Sequence, residues 1–406
     1  MKIVSMTLVG NECDIIESFV RYNSNFVDEM LLITSGCTDN TFPIIRNLMS
    51  EGYKIVLRDE SILSYEQRYI ENKYMNYLAE QKENDLIVPL DTDEFLSAEE
   101  NPRSILESLS LDYIYESEWK TYVMHPDDDM SEHFIPKRLL HCKKNEKKET
   151  KVIVPAKLVA EKKIVLATGR HHAFGEDVEV KELHNLRIAH FPVRSKEQYI
   201  SKLYGSSINF ITWMNRGNGE GAHINKQIAQ MEDGKDIYSC ANGYGIEDIQ
   251  SDDIIIDPVS LEFCKNTLSI RYNNLAQISL IHNLINAGQV AAIRAYRLEV
   301  EKKMLDNKPR ILVYGAGKAA VHMLSGVPED LVNIYAYIDS DLNKRFTMFN
   351  RRLVISVGYA RFFPYDKIVI PSQKYYKEML ETLIQEGVEQ SNIEGIGYLF
   401  ALMDIK

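Results

Sequence analysis

Three acidic side chains interrupt an apolar run at residues 87–96, which read IVPLDTDEFL. The run predicts a buried parallel strand, and in open α/β sheets ligands bind at the carboxyl ends of such strands. Asp91 and Asp93 lie two positions apart, so an extended backbone would point both carboxylates to one side. Clustered carboxylates suit Mg²⁺ or Mn²⁺. An acidic turn in solvent is the alternative, but the apolar residues on both sides favour a metal site.

Two more polar turns follow predicted strands nearer the N-terminus. Strands are predicted at 2–9 and 29–34, and the turns are GNE at 10–12 and SGCTDNT at 35–41. Because helices alternate with these strands, the sheet should be parallel, and the three strand ends should meet at one crevice. The second turn is equally typical of a Ser/Asp turn that begins a helix.

The elements that position these turns follow from the spacing of the apolar residues. Ile15, Phe19 and Val20 share one face of a predicted helix, and Gly52 is a suitable C-cap for the next helix. The predicted elements are strands at 2–9, 29–34, 53–57, 112–122 and 152–166, and helices at 14–23, 42–51 and 65–82.

Length and charge exclude several classes of protein. A chain of 406 residues is too long for one ordinary core, so two or three domains are expected. The net charge of −12 argues against nucleic-acid binding, and an acidic protein needs local cations or a metal to bind anionic substrates. The five cysteines form no C-x-x-C pair, which predicts reduced thiols in a cytoplasmic protein. Neither a signal peptide nor a transmembrane run is expected, although contact with the inner face of a membrane stays open.

These motifs together resemble the family 2 glycosyltransferases with the GT-A fold. The residues that carry the resemblance are NE at 11–12, S-x-x-T-D-x-T at 35–41 and DTDEF at 91–95. A bacterial branch of that family continues with H-x-P-x-R-S-x-E-Q-x-x-x-K, and this sequence has HFPVRSKEQY at 190–199, followed by Lys202. The resemblance covers roughly residues 1–230. Cys37 and Thr34 depart from the family's usual residues, so the nucleotide preference stays open.

The resemblance implies a role for each motif residue. Mn²⁺ or Mg²⁺ would stabilise the charge of the departing diphosphate. His190 is equally suited to be a core histidine, and Arg194 and Lys202 to lie on a solvated helix face. The implied metal ligands are Asp91, Asp93 and His190, and the implied donor-binding residues are Asn11, Glu12, Asp39, Asp91, Arg194 and Lys202.

The implied reaction moves a sugar from a nucleotide-sugar donor to a saccharide or lipid-linked acceptor, as in bacterial surface polysaccharide synthesis. An inverting transferase needs a base, and a carboxylate is suitable. Relatives carry a G-E-G-x-H segment, which here makes Glu220 the candidate base and Asp93 the other catalytic residue. The glycines around Glu220 would let the backbone approach a ligand, and a plain flexible loop is the alternative.

The second half of the chain predicts a connector and another α/β unit. Residues 261–305 have helical spacing throughout, which is typical of a domain connector or a homo-oligomer surface. The turn GAGKAA at 315–320 then follows a predicted strand at 310–314. Gly315, Gly317 and a following acid, Asp339, match a dinucleotide-binding fingerprint. This unit looks like a single Rossmann half, and a unit that binds nothing and serves assembly is the alternative.

We therefore predict an α/β chain with a GT-A mixed sheet flanked by helices at 1–258, a helical connector at 259–307 and a small Rossmann-like domain at 308–406. The competing hypothesis is a nucleotide-binding scaffold or NAD(P)-dependent oxidoreductase centred on residues 315–339. The intact Asp91-x-Asp93 motif favours the transferase.

Overall fold

The computed structural model describes residues 1–60, 67–144, 149–211, 222–236, 253–272, 280–305 and 307–404. The chain forms two compact units. The first contains Met1–Asp59 and Tyr65–Gly288, and the second contains Glu60–Ser64 and Gln289–Lys406. Each unit is a β-sheet with helices, so the predicted α/β class is confirmed.

The first unit is built on one mixed sheet. Its strands are β1 (Ile3–Val9), β2 (Glu29–Thr34), β3 (Ile55–Asp59), β4 (Leu86–Pro89), β5 (Glu94–Ser97), β6 (Ile114–Val123), β7 (His141–Lys143), β8 (Thr150–Pro155), β11 (Val180–His190) and β12 (Ile254–Ile256), and a separate hairpin contains β9 (Val165–Leu166) and β10 (Ala173–Phe174). The sheet order is β12-β7-β6-β8-β4-β1-β2-β3, and β11 pairs with both β5 and β6. Strands β3, β2, β1 and β4 are mutually parallel, so their carboxyl ends share one edge, as predicted.

Helices cover this sheet. They are α1 (Ile16–Asn23), α2 (Thr41–Ser50), α3 (Gln67–Glu80), α4 (Pro102–Ser108), α5 (Ile135–Arg138), α6 (Ala156–Glu161), α7 (Lys196–Ile211) and α8 (Ala222–Glu232). The side chains of Phe19 and Val20 on α1 are fully buried in the core, as the apolar spacing predicted. Gly52 follows α2 with a φ of +97°, the left-handed conformation expected of a C-terminal cap.

Two elements differ from the sequence-based prediction. The predicted strand at 152–166 is instead β8, α6 and β9, because Pro155 ends the strand and a short helix follows. Of the helix predicted over residues 261–305, the structure describes Leu280–Glu301 as helical. Residues 261–272 are not helical, and their apolar side chains cover the first core. Glu17 holds the end of this segment, since its carboxylate accepts hydrogen bonds from the backbone N–H groups of Arg271 and Tyr272.

The second unit has a doubly wound sheet. After α9 (Leu280–Glu301), its strands are β13 (Arg310–Tyr314), β14 (Asn333–Ile338), β15 (Met348–Phe349), β16 (Arg352–Ile355), β17 (Lys367–Ile370) and β18 (Ile393–Gly395), and its helices are α10 (Lys318–Leu324), α11 (Tyr376–Gln385) and α12 (Gly397–Asp404). The parallel strands have the order β16-β14-β13-β17-β18, or 3-2-1-4-5. This order extends past the switch point of a doubly wound sheet, so the unit is larger than a single Rossmann half.

None of the helices within the described ranges is both long and apolar enough to cross a membrane.

Candidate active site at the carboxyl ends of the strands

The turns after β1 and β2 are bound to each other. Asn11 Oδ1 accepts a hydrogen bond from the backbone N–H of Thr38 at 2.7 Å. Asp39 accepts hydrogen bonds from the backbone N–H groups of Cys13 at 3.2 Å and Thr41 at 2.9 Å. These hydrogen bonds join the two turns that were predicted to bind the nucleotide sugar. The side chains of Asn11 and Asp39 accept hydrogen bonds from backbone N–H groups of these turns.

Asp93 is the centre of the second group of predicted residues. Its carboxylate is only 8% exposed. Oδ2 lies 3.4 Å from Lys202 Nζ, 3.6 Å from His190 Nε2 and 3.7 Å from Arg194 Nη1. Burial raises the pKa of Asp93, but Lys202, His190 and Arg194 outweigh it and hold that pKa well below its ordinary value. The carboxylate is therefore ionised at neutral pH.

Strand pairing places His190 next to the Asp93 carboxylate. Strand β11 runs antiparallel to β5, with His190 opposite Glu94, and the Phe191 N–H donates to the Asp93 carbonyl at 2.8 Å. The His190 ring is buried and lies 4.0 Å from the Trp119 ring, centroid to centroid. Burial lowers the pKa of His190 to about 4, against the opposite effect of Asp93. The imidazole is thus neutral at neutral pH, the form that binds a metal.

Arg194 is fixed between acids rather than exposed on a helix face. It precedes α7, is 1% exposed, and binds Asp14 at 2.6 Å and Glu12 at 2.7 Å. Its backbone carbonyl accepts a hydrogen bond from Arg138 at 2.9 Å. Burial raises the pKa of Glu12 to about 7, although Arg194 and Lys202 lower it. Arg194 therefore connects the turn after β1 to Asp93.

Asp91 belongs to a different ion-pair network. Its Oδ2 lies 2.8 Å from Lys151 Nζ, and its Oδ1 binds Arg170. Lys151 also binds Glu94 and the Gly169 carbonyl, each at 2.8 Å. Burial raises the pKa of Glu94 to about 7, although Lys151 lowers it. The two aspartates of the motif thus contact separate sets of cations and do not converge on one point.

Lys151 and Arg170 are site residues that the motifs did not indicate. Arg170 is fully buried, has a φ of +58° and donates to the Leu90 carbonyl at 3.1 Å. Lys151 is 2% exposed and precedes an apolar run in β8. The sequence offered one indication of this role: Lys151 is the first residue of the apolar run KVIVP at 151–155. A lysine in a buried strand needs an anion close to it.

The donor set at Asp93 is compatible with Mn²⁺ or Mg²⁺ when further ligands come from outside the residues that the structure describes. Within the described ranges, no group of three or more His, Cys, Asp or Glu residues is arranged to hold a metal. Asp93 and His190 supply two donor atoms 3.6 Å apart. Mg²⁺ commonly binds proteins through one or two carboxylates, with substrate phosphates and waters as its remaining ligands. A site completed by a diphosphate fits these residues.

The candidate base lies outside the described residues. Glu220 falls in the interval 212–221, so its position relative to Asp93 is not described. The flanking helices are α7, which carries Lys202, and α8.

The glycine turn of the second unit lies at the switch point of its sheet. Gly315 has a φ of +121°, and Gly317 is the N-cap residue immediately before α10. Asp339 accepts a hydrogen bond from the Ala316 N–H at 2.9 Å and pairs with Lys344 at 2.9 Å. The glycine turn is therefore bound to Asp339, the residue that follows β14.

Comparisons with known proteins match parts of the chain. A family model described as C2185-like, N-terminal, matches residues 307–394. No curated protein matches the chain.

Three solved structures overlap parts of the chain at low identity. The mannosyltransferase PcManGT from Pyrobaculum calidifontis, in complex with GDP-Man and Mn²⁺, is 11% identical, with 72% of this chain and 87% of that chain covered and a TM-score of 0.31. Glucosyl-3-phosphoglycerate synthase from Mycobacterium tuberculosis, in complex with Mn²⁺, UDP and phosphoglyceric acid, is 13% identical, with 54% and 80% covered and a TM-score of 0.27. HddC from Yersinia pseudotuberculosis is 14% identical, with 47% and 95% covered and a TM-score of 0.28. TM-scores this low indicate partial overlap and decide nothing about this chain.

Proposed function

We propose that the protein is a metal-dependent glycosyltransferase that moves a sugar from a nucleotide-sugar donor to an acceptor hydroxyl. The observation that carries this proposal is the buried Asp93 carboxylate at a strand end, with His190, Lys202 and Arg194 around one of its oxygens. Buried acids with strongly shifted pKa values and convergent cations are typical of functional sites. The motif resemblance adds the reaction class.

We assign the site residues to different parts of the nucleotide-sugar donor. Asp93 and His190 would hold Mn²⁺ or Mg²⁺, which when bound neutralises charge on the departing diphosphate. We assign Asp91 to the ribose rather than to the ion, because Lys151 and Arg170 already bind both of its oxygens. The joined turns that contain Asn11, Glu12 and Asp39 would receive the nucleoside, and Arg194 and Lys202 would neutralise phosphate charge.

The acceptor side of the reaction needs a base, and we propose Glu220 for it. The proposed acceptor is a saccharide or a lipid-linked acceptor of bacterial surface polysaccharide synthesis in the cytoplasm, with an inverting outcome. Glu220→Gln keeps the shape of the side chain but removes the base, so turnover should fall about 100-fold or more while donor binding is retained. Unchanged turnover, measured by product formation at saturating donor, would assign the base elsewhere.

The second unit supports one other candidate function, nucleotide or NAD(P) binding at Gly315, Gly317 and Asp339. The observation in its favour is the strand order 3-2-1-4-5, with the glycine turn at the switch point. A thermal-shift screen of sugar nucleotides and NAD(P), with and without Mn²⁺, separates the candidates, because a ligand of the native state raises its melting temperature. Stabilisation by NAD(P) alone would favour the oxidoreductase or scaffold.

The decisive test of the transferase is the Asp93→Asn variant. This change keeps the shape of the side chain and removes the charge that would bind the ion, so metal-dependent turnover should fall at least about 100-fold. Asp112→Asn is the matched control, since Asp112 is exposed and pairs with Ser110 and Lys157 at the surface. Turnover close to wild type in a folded Asp93→Asn variant would refute the assignment of the site.

A further inference from the structure

Two of the cations beside Asp93 are held very differently. Arg194 is 1% exposed and is bound by Glu12, Asp14 and the Phe191 carbonyl. Lys202 is 34% exposed, and its ammonium lies 3.4 Å from Asp93 Oδ2 and 3.3 Å from the Pro192 carbonyl. Charge-assisted N–H···O bonds are usually about 2.7–2.9 Å long. Lys202 is therefore partly exposed and lies farther from its acid than Arg194 lies from Glu12 and Asp14.

The Lys202 ammonium is directed at the same oxygen that would bind a metal. Oδ2 of Asp93 is its contact, and Nε2 of His190 lies 3.6 Å from that oxygen. A divalent ion and an ammonium cannot both stay close to one buried carboxylate oxygen without strong repulsion, because charges interact strongly where water is excluded. Arg194 also lies 3.7 Å from this oxygen, but its charge is shared with Glu12 and Asp14. Asp93 can therefore accept one further cation, and we expect the ammonium and the ion to compete for that place.

We propose that Lys202 is an exchangeable counter-cation: its ammonium neutralises Asp93 in the free protein, gives way to the divalent ion that arrives with the nucleoside diphosphate, and then binds that diphosphate. This inference rests on the proposed transferase function and explains how the buried acids Asp93, Glu12 and Asp14 keep a second cation beside Arg194 between turnovers. It also predicts that the metal binds weakly on its own and tightly with the diphosphate.

Titration with Mn²⁺ alone tests the first half of the exchange. The free-ion electron paramagnetic resonance signal gives the dissociation constant without any turnover. In Lys202→Met the competing charge is absent, so Mn²⁺ should bind at least tenfold more tightly than in the wild type. Lys202→Arg keeps the charge and should bind Mn²⁺ no more tightly than the wild type. Lys202→Gln provides a second neutral variant if Lys202→Met does not fold.

Two controls give the result its meaning. Lys196→Met removes the same charge from an exposed position on the same helix, so its affinity for Mn²⁺ should stay within about twofold of wild type. Asp93→Asn combined with Lys202→Met should lose the gain in affinity. Equal Mn²⁺ affinity in wild type and both neutral variants, including no binding by any of them, overturns the exchange. An equal gain in Lys196→Met overturns it as well.

Inorganic pyrophosphate tests the second half. With Mn²⁺ at saturation, calorimetry should show pyrophosphate binding at least tenfold more weakly to Lys202→Met than to the wild type. Equal binding, or none to either protein, overturns the transfer of the ammonium to the diphosphate. Strengthened Mn²⁺ binding without turnover of any sugar nucleotide would keep the exchange and refute the transferase. Turnover by the wild type, with unchanged Mn²⁺ affinity in both neutral variants, would support the transferase and refute the exchange.

Discussion

The acids of the site each have a cation supplied by the protein itself. Asp93 lies among Lys202, Arg194 and His190, and Asp91 is bound by Lys151 and Arg170. Removing one member of a buried ion pair costs more than the pair contributes, because the remaining charge stays buried. Substitutions in this region therefore test stability as well as activity.

Arg170 offers the sharpest test of the network around Asp91. Its side chain is fully buried, with Nε 3.4 Å from the buried Glu71 carboxylate and Nη2 bound to Asp91. Arg170→Met leaves the buried Glu71 carboxylate without the guanidinium that pairs with it, so the free energy of unfolding should fall by about 3 kcal/mol or more. Chemical denaturation at pH 7 measures the loss.

A double-mutant cycle separates the ion pair from packing. Glu71→Gln added to Arg170→Met removes the orphaned charge and should recover part of the lost stability. If the double variant lost as much unfolding free energy as the two single variants together, Arg170 would act through its volume and its hydrogen bond to the Leu90 carbonyl instead.

Sequence motifs predicted some residues of this region and did not indicate others. Asp93, His190, Arg194 and Lys202 lie in motifs of the resembled family, and the structure brings them together. Lys151 and Arg170 lie in no motif. They reach Asp91 because β8 pairs with β4 and because Arg170 adopts a left-handed conformation, and neither effect leaves a periodic pattern.

At the scale of elements, residues 261–272 show how a periodic pattern misleads. Leu261 and Leu268 have helical spacing, but both pack on the first core from a segment that is not helical. Glu17 binds the backbone N–H groups at the end of this segment, and Asn25 Oδ1 accepts from the N–H of Lys265 at 2.7 Å. Side-chain acceptors on α1 and just after it, distant in the sequence, bind backbone N–H groups of this segment, and the spacing of apolar residues does not reveal such contacts.

Glu51 connects α2 to this segment and gives it a pH dependence. Its carboxylate accepts two hydrogen bonds from Arg21, each 2.9 Å long, and one from the Tyr272 hydroxyl. The hydrogen bonds from Arg21 lower the pKa of Glu51, so at acidic pH the unfolded chain binds more protons and stability rises with pH. This contribution is complete above the ordinary Glu pKa of about 4.3 and is lost as the pH falls through the lowered folded value.

Glu51→Gln should therefore destabilise the protein by about 2 kcal/mol at pH 7, since hydrogen bonds to charged groups are strong. The difference in unfolding free energy between wild type and variant should shrink below about pH 4. Urea denaturation of both proteins from pH 7 to pH 3 measures it. A difference that stays constant over this range would contradict the ionic role of Glu51.

At the scale of the whole molecule, the chain contains separate cores. The core of the first unit includes side chains as far along the chain as Tyr272. The main core of the second unit begins with Val290 on α9 and includes buried residues of β13, β14 and β17. The sequence indicated two α/β units because strand–helix alternation stops and then resumes at Arg310. It assigned residues 259–307 to a helical connector, and the contacts divide the chain after Gly288, within that range.

This division leads to a prediction for chains cut between the cores. A chain ending at Gly288 keeps the whole first core and every site residue assigned to the transfer reaction, so it should fold and retain metal-dependent turnover of the donor. A chain beginning at Gln289 keeps the second sheet and should melt cooperatively on its own. Product formation and thermal melting of both fragments measure this, and Asp93→Asn in the first fragment is the control for contaminating activity. A folded first fragment that binds the donor without turnover would show that the second unit contributes to catalysis.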